Sequence, residues 1–253
     1  MTKMPVLFIG HGSPMNAIEN NVWTKTWRKL AKEIPRPQAI LCISAHWMKE
    51  KTAITMQENP KTIYDFYGFP QELYTQNYPA KGSPHLAKEI QKKVQSVKID
   101  SDTKWGLDHG TWSVLMHMYP QADIPVVQLS LQHTLREKEC YDLGKELSFL
   151  REQGILILGS GNLVHNLLVM HSQEKAYPWA KEFDTFVKES LEKRDDKVLI
   201  NYKKHPAAQQ AHPSPEHFLP LLYCLGATQN KKGECFNEDL TLGSISMRSC
   251  LWK

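Results

Sequence analysis

The 253-residue chain contains few cysteines, and their spacing shows no pairing pattern. Its five cysteines are widely separated and form no C-x-x-C pair; they are Cys42, Cys140, Cys224, Cys235 and Cys250. This spacing implies neither a disulfide framework nor a zinc ribbon. Cys42 and Cys224 lie in apolar runs, where a reduced thiol behaves as a small hydrophobic side chain. We therefore expect a reducing compartment, the cytoplasm.

The chain also lacks long apolar segments and basic blocks. No stretch approaches the roughly 18 apolar residues that suggest a membrane span, and the apolar run 5–9 is too short for a signal peptide. The net charge is only +4, and the lysines are scattered rather than interleaved with aromatic residues. We expect neither nucleic acid nor membrane as a partner. The sequence leaves the oligomeric state open.

Short apolar runs alternate with helical patterns along the whole chain. Predicted strands fall at 5–9, 39–45, 52–56, 96–99, 125–130, 154–159 and 241–247. Helical spacing of apolar residues covers 24–34, 84–97, 134–153 and 175–193. This alternation predicts an α/β fold with a mostly parallel central sheet flanked by helices on both faces. Because no linker or composition shift interrupts it, we expect one catalytic domain over 1–253.

Histidines follow three of the predicted strands. Two apolar runs end at His11 and His46, and His165 follows the run 154–159. The carboxyl ends of parallel strands are where ligand sites gather in such sheets. His217 follows Ser214, a plausible N-cap, so we expect it at a helix N terminus, where the dipole would keep its imidazole neutral. These positions suggest metal ligands on one rim.

Two further segments have alternative interpretations. Asp108 next to His109 can support acid–base chemistry, or Asp108 can be the N-cap of a helix at 111–118. Residues 57–84 form a long segment rich in aromatic residues, proline and glycine. A long loop of this kind is usually functional or disordered, and this one is too aromatic for disorder. It can line a flat, apolar pocket or cover the sheet.

Six short motifs occur in a fixed order along the chain. They are Gly10-His11-Gly12-Ser13-Pro14, Ser44-Ala45-His46-Trp47, Asp65-Phe66-x-Gly68-Phe69-Pro70, Trp105-Gly106-x-Asp108-His109-Gly110, Gly159-Ser160-Gly161-Asn162-x-x-His165-Asn166 and Pro215-Glu216-His217-x-Leu219-Pro220-Leu221. Together they resemble the class III extradiol ring-cleavage dioxygenases of the LigB-type superfamily, in the branch that contains the 4,5-DOPA dioxygenases.

The resemblance implies a non-haem metal enzyme that opens a catechol ring with both atoms of O2, giving a semialdehyde. It implies one divalent metal per chain, Fe(II) or Zn(II), held by His11, His46 and His217. His165 would be either a fourth ligand or the acid–base residue, and His109 is a second acid–base candidate. The residues expected to contact the small aromatic substrate are Ser13, Tyr64, Asp65 and Phe66.

One position departs from the wider class, which uses two histidines and one carboxylate. The third position here is His217, and the adjacent Glu216 would point about 100° away on a helix. Three neutral imidazoles suit zinc as well as iron. Two alternatives therefore remain open. One is a zinc-dependent hydrolase with Glu216 or His109 as its base, and the other is a non-enzymatic metal-binding protein on the same fold.

Overall fold

The fold is built on one large sheet whose central strands are parallel. The computed structural model describes residues 3–172, 175–228 and 231–253. Its strands are β1 (Val6–Gly10), β2 (Ala39–Lys49), β3 (Ala53–Thr55), β4 (Asp100–Asp102), β5 (Val126–Gln132), β6 (Ile155–Gly161), β7 (Glu234–Phe236), β8 (Leu240–Thr241), β9 (Ile245–Ser246) and β10 (Ser249–Trp252). The large sheet has the order β4-β3-β5-β2-β6-β1-β10-β7, and β8 pairs only with β9.

Parallel pairing is concentrated where the predicted histidines emerge. β2 pairs in parallel with both β5 and β6, and β6 pairs in parallel with β1. β3 runs antiparallel to β5, while β10 runs antiparallel to both β1 and β7. The carboxyl ends of β1, β2 and β6 therefore lie together at one edge, as expected from the sequence.

Helices cover both faces of this sheet. They are α1 (Val22–Glu33), α2 (Gln71–Tyr74), α3 (Pro84–Lys93), α4 (His109–Met118), α5 (Glu137–Leu147), α6 (Pro178–Lys193), α7 (Asp196–Ile200), α8 (Ala208–Ala211) and α9 (Leu219–Ala227). Neighbouring residues of β1 point to opposite cores: Phe8 packs with residues of α5, α6 and α9, and Leu7 packs with residues of α1 and α4. This alternation follows the two-residue period of a strand and confirms the predicted α/β architecture.

Some predicted elements differ from the structure. The run 96–99 is not a strand, and β4 begins only at Asp100. The helix expected after Ser214 is present as α9, but its predicted start was wrong, because residues 213–218 form bends and turns and α9 begins at Leu219. The edge strand β7 and the strand β10 were not predicted. Both are short. β10 pairs with β1, at the other end of the chain, and with β7, from which it is separated by the β8–β9 pair.

The aromatic segment 57–84 lies over the α1 and α4 side of the sheet. Leu73 and Tyr78 are buried there, and Phe66 and Phe69 pack against the same core. The segment thus covers the sheet, one of its two expected roles. None of the helices within the described ranges is long and apolar enough to cross a membrane.

Candidate metal centre

The ends of β1 and β2 bring two imidazoles into direct contact. His11 follows β1, and His46 lies in the last part of β2. Their Nε2 atoms are 3.0 Å apart. Gly110 lies beside them, where a Cβ atom would approach the Ser44 hydroxyl to 2.6 Å and His46 Cδ2 to 3.0 Å. The motif glycine therefore gives the two histidines room to meet.

The tautomer of His11 follows from its neighbours. Its Nδ1 is 2.9 Å from the Ser160 hydroxyl oxygen, and that hydroxyl donates its only proton to the Gly110 carbonyl at 2.5 Å. Ser160 therefore accepts from His11, which places the ring proton on Nδ1. The lone pair of His11 is left on Nε2, the atom that faces His46. Ser160 lies in β6 and was not predicted as a site residue, although it directly follows the predicted strand 154–159.

A single carboxylate serves the next two histidines. Asp65 Oδ2 lies 2.9 Å from His109 Nδ1 and 3.4 Å from His46 Nδ1. Asp65 Oδ1 accepts the backbone N–H of His109 at 2.8 Å. A carboxylate acceptor favours the proton on Nδ1 of both rings, which leaves their Nε2 atoms with lone pairs. Asp65 was expected to contact substrate; its observed partners are histidines.

Asp108 has a structural role, in line with the second interpretation of its motif. It is the N-cap of α4 and accepts the backbone N–H of Thr111 at 3.2 Å. Ser44 and Gln128 each donate a side-chain hydrogen bond of 2.7 Å to its carboxylate. Complete burial, followed by the nearby charge of Asp65, raises the pKa of Asp108 to about 6. The carboxylate partner of His109 is therefore Asp65 and not its neighbour in sequence.

The other side of the site contains a stacked pair. The rings of His165 and His217 lie 3.4 Å apart and are parallel to within 7°. His217 Nδ1 is 3.3 Å from Glu216 Oε1, while its buried Nε2 has no hydrogen-bond partner among the described residues. The His217 ring centre is 5.4 Å from that of His11 and 5.0 Å from that of His46. The two sides therefore share one cluster.

Backbone contacts fix where the stacked pair sits. The His217 carbonyl packs so closely on Gly161 that a Cβ atom there would approach its oxygen to 2.2 Å. The same carbonyl accepts the backbone N–H of Asn162 at 3.0 Å. His165 donates its backbone N–H to Ala211 and forms a β-bridge with Ile245. The end of β6 thus positions His217 through the close approach at Gly161. His165 is held by its backbone contacts with Ala211 and Ile245.

Burial keeps the imidazoles neutral in the absence of metal. It is the main cause that lowers the pKa values of His11, His46 and His217 well below 6.5, with the other histidines as further causes. The pKa of His165 is lowered to about 3, first by burial and then by His212. Burial is thus the main cause of the lowered pKa of His217, which lies one residue before the N-cap of α9.

Asp65 responds in the opposite way to its surroundings. Burial alone would raise the pKa of this carboxyl, but the hydrogen bonds from the side chain and backbone of His109 and the electrostatic interaction with the His109 and His46 rings outweigh it. The pKa of Asp65 is lowered as a result. The site therefore holds a carboxylate beside neutral rings with available lone pairs.

The remaining predicted substrate residues lie at different distances from the histidines. The Phe66 ring is 5.5 Å from that of His109 in an edge-on arrangement. Tyr64 packs edge-on against Phe66 and donates its hydroxyl proton to the Gln76 carbonyl at 2.6 Å. Ser13 accepts the backbone N–H of Met15 and caps a short 3-10 helix. Phe66 thus adjoins the histidine cluster, and Tyr64 packs against Phe66. That Ser13, Tyr64, Asp65 and Phe66 contact the substrate stays a prediction.

The donor set fits a divalent metal. The ligand atoms of His11, His46 and His109 lie within 4.8 Å of one another, and so do those of His165, Glu216 and His217. Two lone pairs face each other between His11 and His46, and a third donor, His217 Nε2, is buried without a partner. Such an arrangement is unfavourable unless a cation or proton lies between the nitrogens, and the lowered pKa values disfavour a proton.

Comparisons with known proteins show the family to which the chain belongs. Residues 5–247 match the family model described as the catalytic LigB subunit of aromatic ring-opening dioxygenase. The chain is 45% identical to the 4,5-DOPA dioxygenase extradiol of Escherichia coli K12, covering 98% of this chain and 94% of that protein. It is 40% identical to the protein of the same name from Beta vulgaris, over 96% and 94% of the two chains.

A solved structure supports the same assignment. A crystal structure of an uncharacterized protein from Escherichia coli K12 superposes with a TM-score of 0.87 at 40% identity, covering 99% of this chain and all of the other. Like the family, the molecule is an α/β protein, and its cluster of histidines lies at the strand ends of the central sheet. The chain belongs to the LigB family of aromatic ring-opening dioxygenases.

Proposed function

We propose that this protein is a metal-dependent extradiol dioxygenase that opens a DOPA-like catechol with O2 to a semialdehyde. The observation that carries the proposal is the common arrangement of His11, His46 and His217. Each has its Nδ1 directed at a hydrogen-bond acceptor, which leaves the lone pair of Nε2 available to a metal; His109 has the same feature through Asp65. Partners that orient the ligand rings in this way are typical of metal sites. The names of the relatives supply the reaction class.

Three histidines would hold the metal, and His165 would not. A lone pair on an imidazole nitrogen lies in the ring plane, and the planes of His165 and His217 are parallel to within 7° at 3.4 Å. Parallel rings stacked face to face cannot both direct their lone pairs at one ion about 2.1 Å away. This geometry supports His165 as the acid–base residue. Bound Fe(II) would supply the redox chemistry that joins O2 to the catechol.

The chain's own groups would handle the protons. The catechol must lose a hydroxyl proton, and His165, neutral and next to His217, would accept it. His109 is the second candidate: its Nδ1 proton is held by Asp65 at 2.9 Å, so Nε2 is the nitrogen that can accept a proton. Phe66, 5.5 Å from His109, would lie beside the substrate ring and exclude water. We also propose that the protein binds one metal ion per chain and that it is located in the cytoplasm.

Oxygen consumption tests the reaction directly. Protein freed of metal is reloaded with Fe(II) without oxygen and then mixed with DOPA and a series of substituted catechols in an oxygen electrode. We expect equal amounts of oxygen and catechol to disappear and a yellow semialdehyde to form. Protein reloaded with Zn(II) is the matched control. Absence of turnover on every catechol at full iron occupancy would contradict the proposal.

A zinc-dependent hydrolase is the second candidate, because a donor set made of imidazoles suits zinc as well. This hydrolase would need Glu216 or His109 as its base, and the contacts of Glu216 do not favour that role. That carboxylate accepts a hydrogen bond from the Ser214 hydroxyl at 2.8 Å and lies 3.3 Å from His217 Nδ1. Ester or amide hydrolysis by the zinc form, with no oxygen uptake by the iron form, would favour this candidate.

A further inference from the structure

Two cysteines face each other on neighbouring strands, far from any role in the histidine site. Cys235 of β7 and Cys250 of β10 are direct partners in the antiparallel register, and their Sγ atoms are 2.8 Å apart. Antiparallel partners have Cα atoms about 4.5 to 5.5 Å apart, which lies within the range that disulfides span. The two thiols can therefore bond without a large movement of the backbone. We propose that Cys235 and Cys250 form a reversible disulfide that responds to the thiol redox state.

The two thiols have different environments, which gives the reaction an order. Cys235 is half-buried, whereas Cys250 is fully buried. The hydrogen bond with Cys250 is the main cause that lowers the pKa of Cys235, and the charge of Arg248 acts in the same direction. Burial, followed by the Cys235 partner, raises the pKa of Cys250. Cys235 is thus the sulfur that reacts first, since the thiolate is the nucleophile.

A small disulfide such as oxidised glutathione is the oxidant. The Cys235 thiolate attacks one of its sulfurs, forms a mixed disulfide and releases one glutathione thiolate. Cys250 then loses its proton to solvent and attacks the Cys235 sulfur, which releases the second glutathione. Two protein thiols lose two electrons in total, and one glutathione disulfide is reduced to two thiols. Excess reduced glutathione reverses both exchanges.

The disulfide would close a loop that forms part of the wall of the histidine site. The two cysteines are fifteen positions apart, and the chain between them carries β8 and β9. Ile245 in this loop forms the β-bridge with His165. Ser246 donates its backbone N–H to the Val164 carbonyl at 3.0 Å and accepts from the Asn162 side chain at 2.8 Å. Oxidation would therefore restrict the segment that holds His165 in place.

Thiol counting after equilibration with glutathione tests the proposal on the intact chain. Protein is equilibrated over a series of oxidised-to-reduced glutathione ratios, quenched with acid and counted for thiols in denaturant. We expect two of the five thiols to disappear together. Trypsin cleaves after Arg248, so the disulfide should link peptides 233–248 and 249–253 in a mass spectrum. Reduction should restore all five thiols.

Three variants separate this pair from the other cysteines. Cys250→Ser should accumulate one glutathione on Cys235, because nothing displaces it, and Cys235→Ser should accumulate none on the buried Cys250. Cys140→Ser is the matched control; its thiol is fully buried, and the variant should still lose two thiols. The oxidised wild type should unfold about 5 to 10 °C higher than the reduced form, as expected for a loop of this length.

Three results would overturn the proposal. One is retention of all five thiols at every glutathione ratio. The second is loss of thiols that map to cysteines other than Cys235 and Cys250. The third is a stable glutathione adduct on Cys235 of the wild type, which would show that Cys250 does not displace it.

Discussion

The two sides of the histidine cluster are held in different ways. On one side, which we call the carboxylate side, His46 and His109 share the carboxylate of Asp65, and His11 is bonded to Ser160. On the other, which we call the stacked side, His165 lies face to face with His217 at 3.4 Å. Hydrogen bonds fix ring orientation on the carboxylate side, whereas packing and backbone contacts do so on the stacked side.

The difference indicates how ligands and catalyst can coexist in a cluster of similar rings. A ring whose Nδ1 is bonded to an acceptor has one tautomer and one direction for its lone pair. Four rings have this feature: His11, His46 and His109 on the carboxylate side and His217 on the stacked side. His165 is stacked on His217, one of the proposed ligands, and from this position it would exchange protons with a substrate without binding the ion.

The largest expected effect is the loss of turnover on substitution of His165, the proposed acid–base residue. His165→Gln should lower turnover of the iron form roughly 10²- to 10⁴-fold, because it removes the acid–base group. Stopped-flow or oxygen-electrode rates at saturating catechol measure this. His133→Gln, which changes an exposed histidine after β5, is the control and should retain full turnover. Unchanged turnover in His165→Gln would transfer the acid–base role to His109.

A smaller effect is expected from the carboxylate side. Asp65→Asn weakens the acceptor shared by His109 and His46, so metal affinity or turnover should fall about 10- to 100-fold. A competition titration with a chelator measures the affinity. Asp102→Asn, which changes a carboxylate paired with Lys49, is the control and should leave affinity unchanged. Equal loss in both variants would indicate a general loss of stability.

The pH dependence of the metal-free protein tests the burial of both sides. Unfolded histidines take up protons below about pH 6.5, whereas the pKa values of His11, His46, His165 and His217 are lowered in the folded protein. The unfolded chain then binds more protons, so stability falls as the pH decreases below 6.5. Each of these histidines contributes about 1.4 kcal/mol per pH unit.

Urea unfolding between about pH 6.5 and pH 5.5 measures this slope. His165→Gln should reduce the slope by about 1 kcal/mol per pH unit over this range, because one depressed pKa is removed and the unfolded imidazole is only partly protonated near pH 6.5. His133→Gln, at an exposed position, serves as the control for the substitution itself. A slope that His165→Gln does not alter would mean that His165 is solvated in the metal-free protein.

The smallest effect concerns the substrate. Phe66→Ala should raise KM about 2- to 10-fold and change kcat less, because a ring contact contributes about 0.5 to 1.5 kcal/mol beyond burial. Steady-state kinetics with the best catechol measure both constants. Tyr67→Ala is the control from the same loop, since this side chain is 92% exposed. A lower unfolding temperature with unchanged kinetics would make Phe66 purely structural.

The sequence predicted the α/β architecture and the strand ends because buried parallel strands have a strong apolar signal. It placed His11 and His165 after strands, where they are found; it also placed His46 after a strand, whereas β2 continues beyond this residue to Lys49. It missed the pairing of Asp65 with His109, because 44 residues separate them and only the folding of the aromatic segment brings them together. The stacking of His165 on His217 likewise depends on two loops whose paths local patterns do not encode.

The helix predicted after Ser214 shows a second limit. Serine followed by proline is a common helix start, but residues 213–218 turn instead, and this places the His217 carbonyl against Gly161. Contacts made by the end of β6 override the local preference. The signal that was available is the glycine at position 161, which leaves space for another backbone to approach closely.

Metal content is the most direct test of the central claim that three histidines bind the ion and a fourth does not. His11→Gln, His46→Gln, His217→Gln and His165→Gln are purified side by side, reloaded with Fe(II) and analysed for bound metal per chain. We predict that the first three lose most of their metal, because a site with two of three ligands is weak, and that His165→Gln retains near-stoichiometric metal. Loss of metal from His165→Gln to the same extent as from the other three would contradict the account and make His165 a fourth ligand.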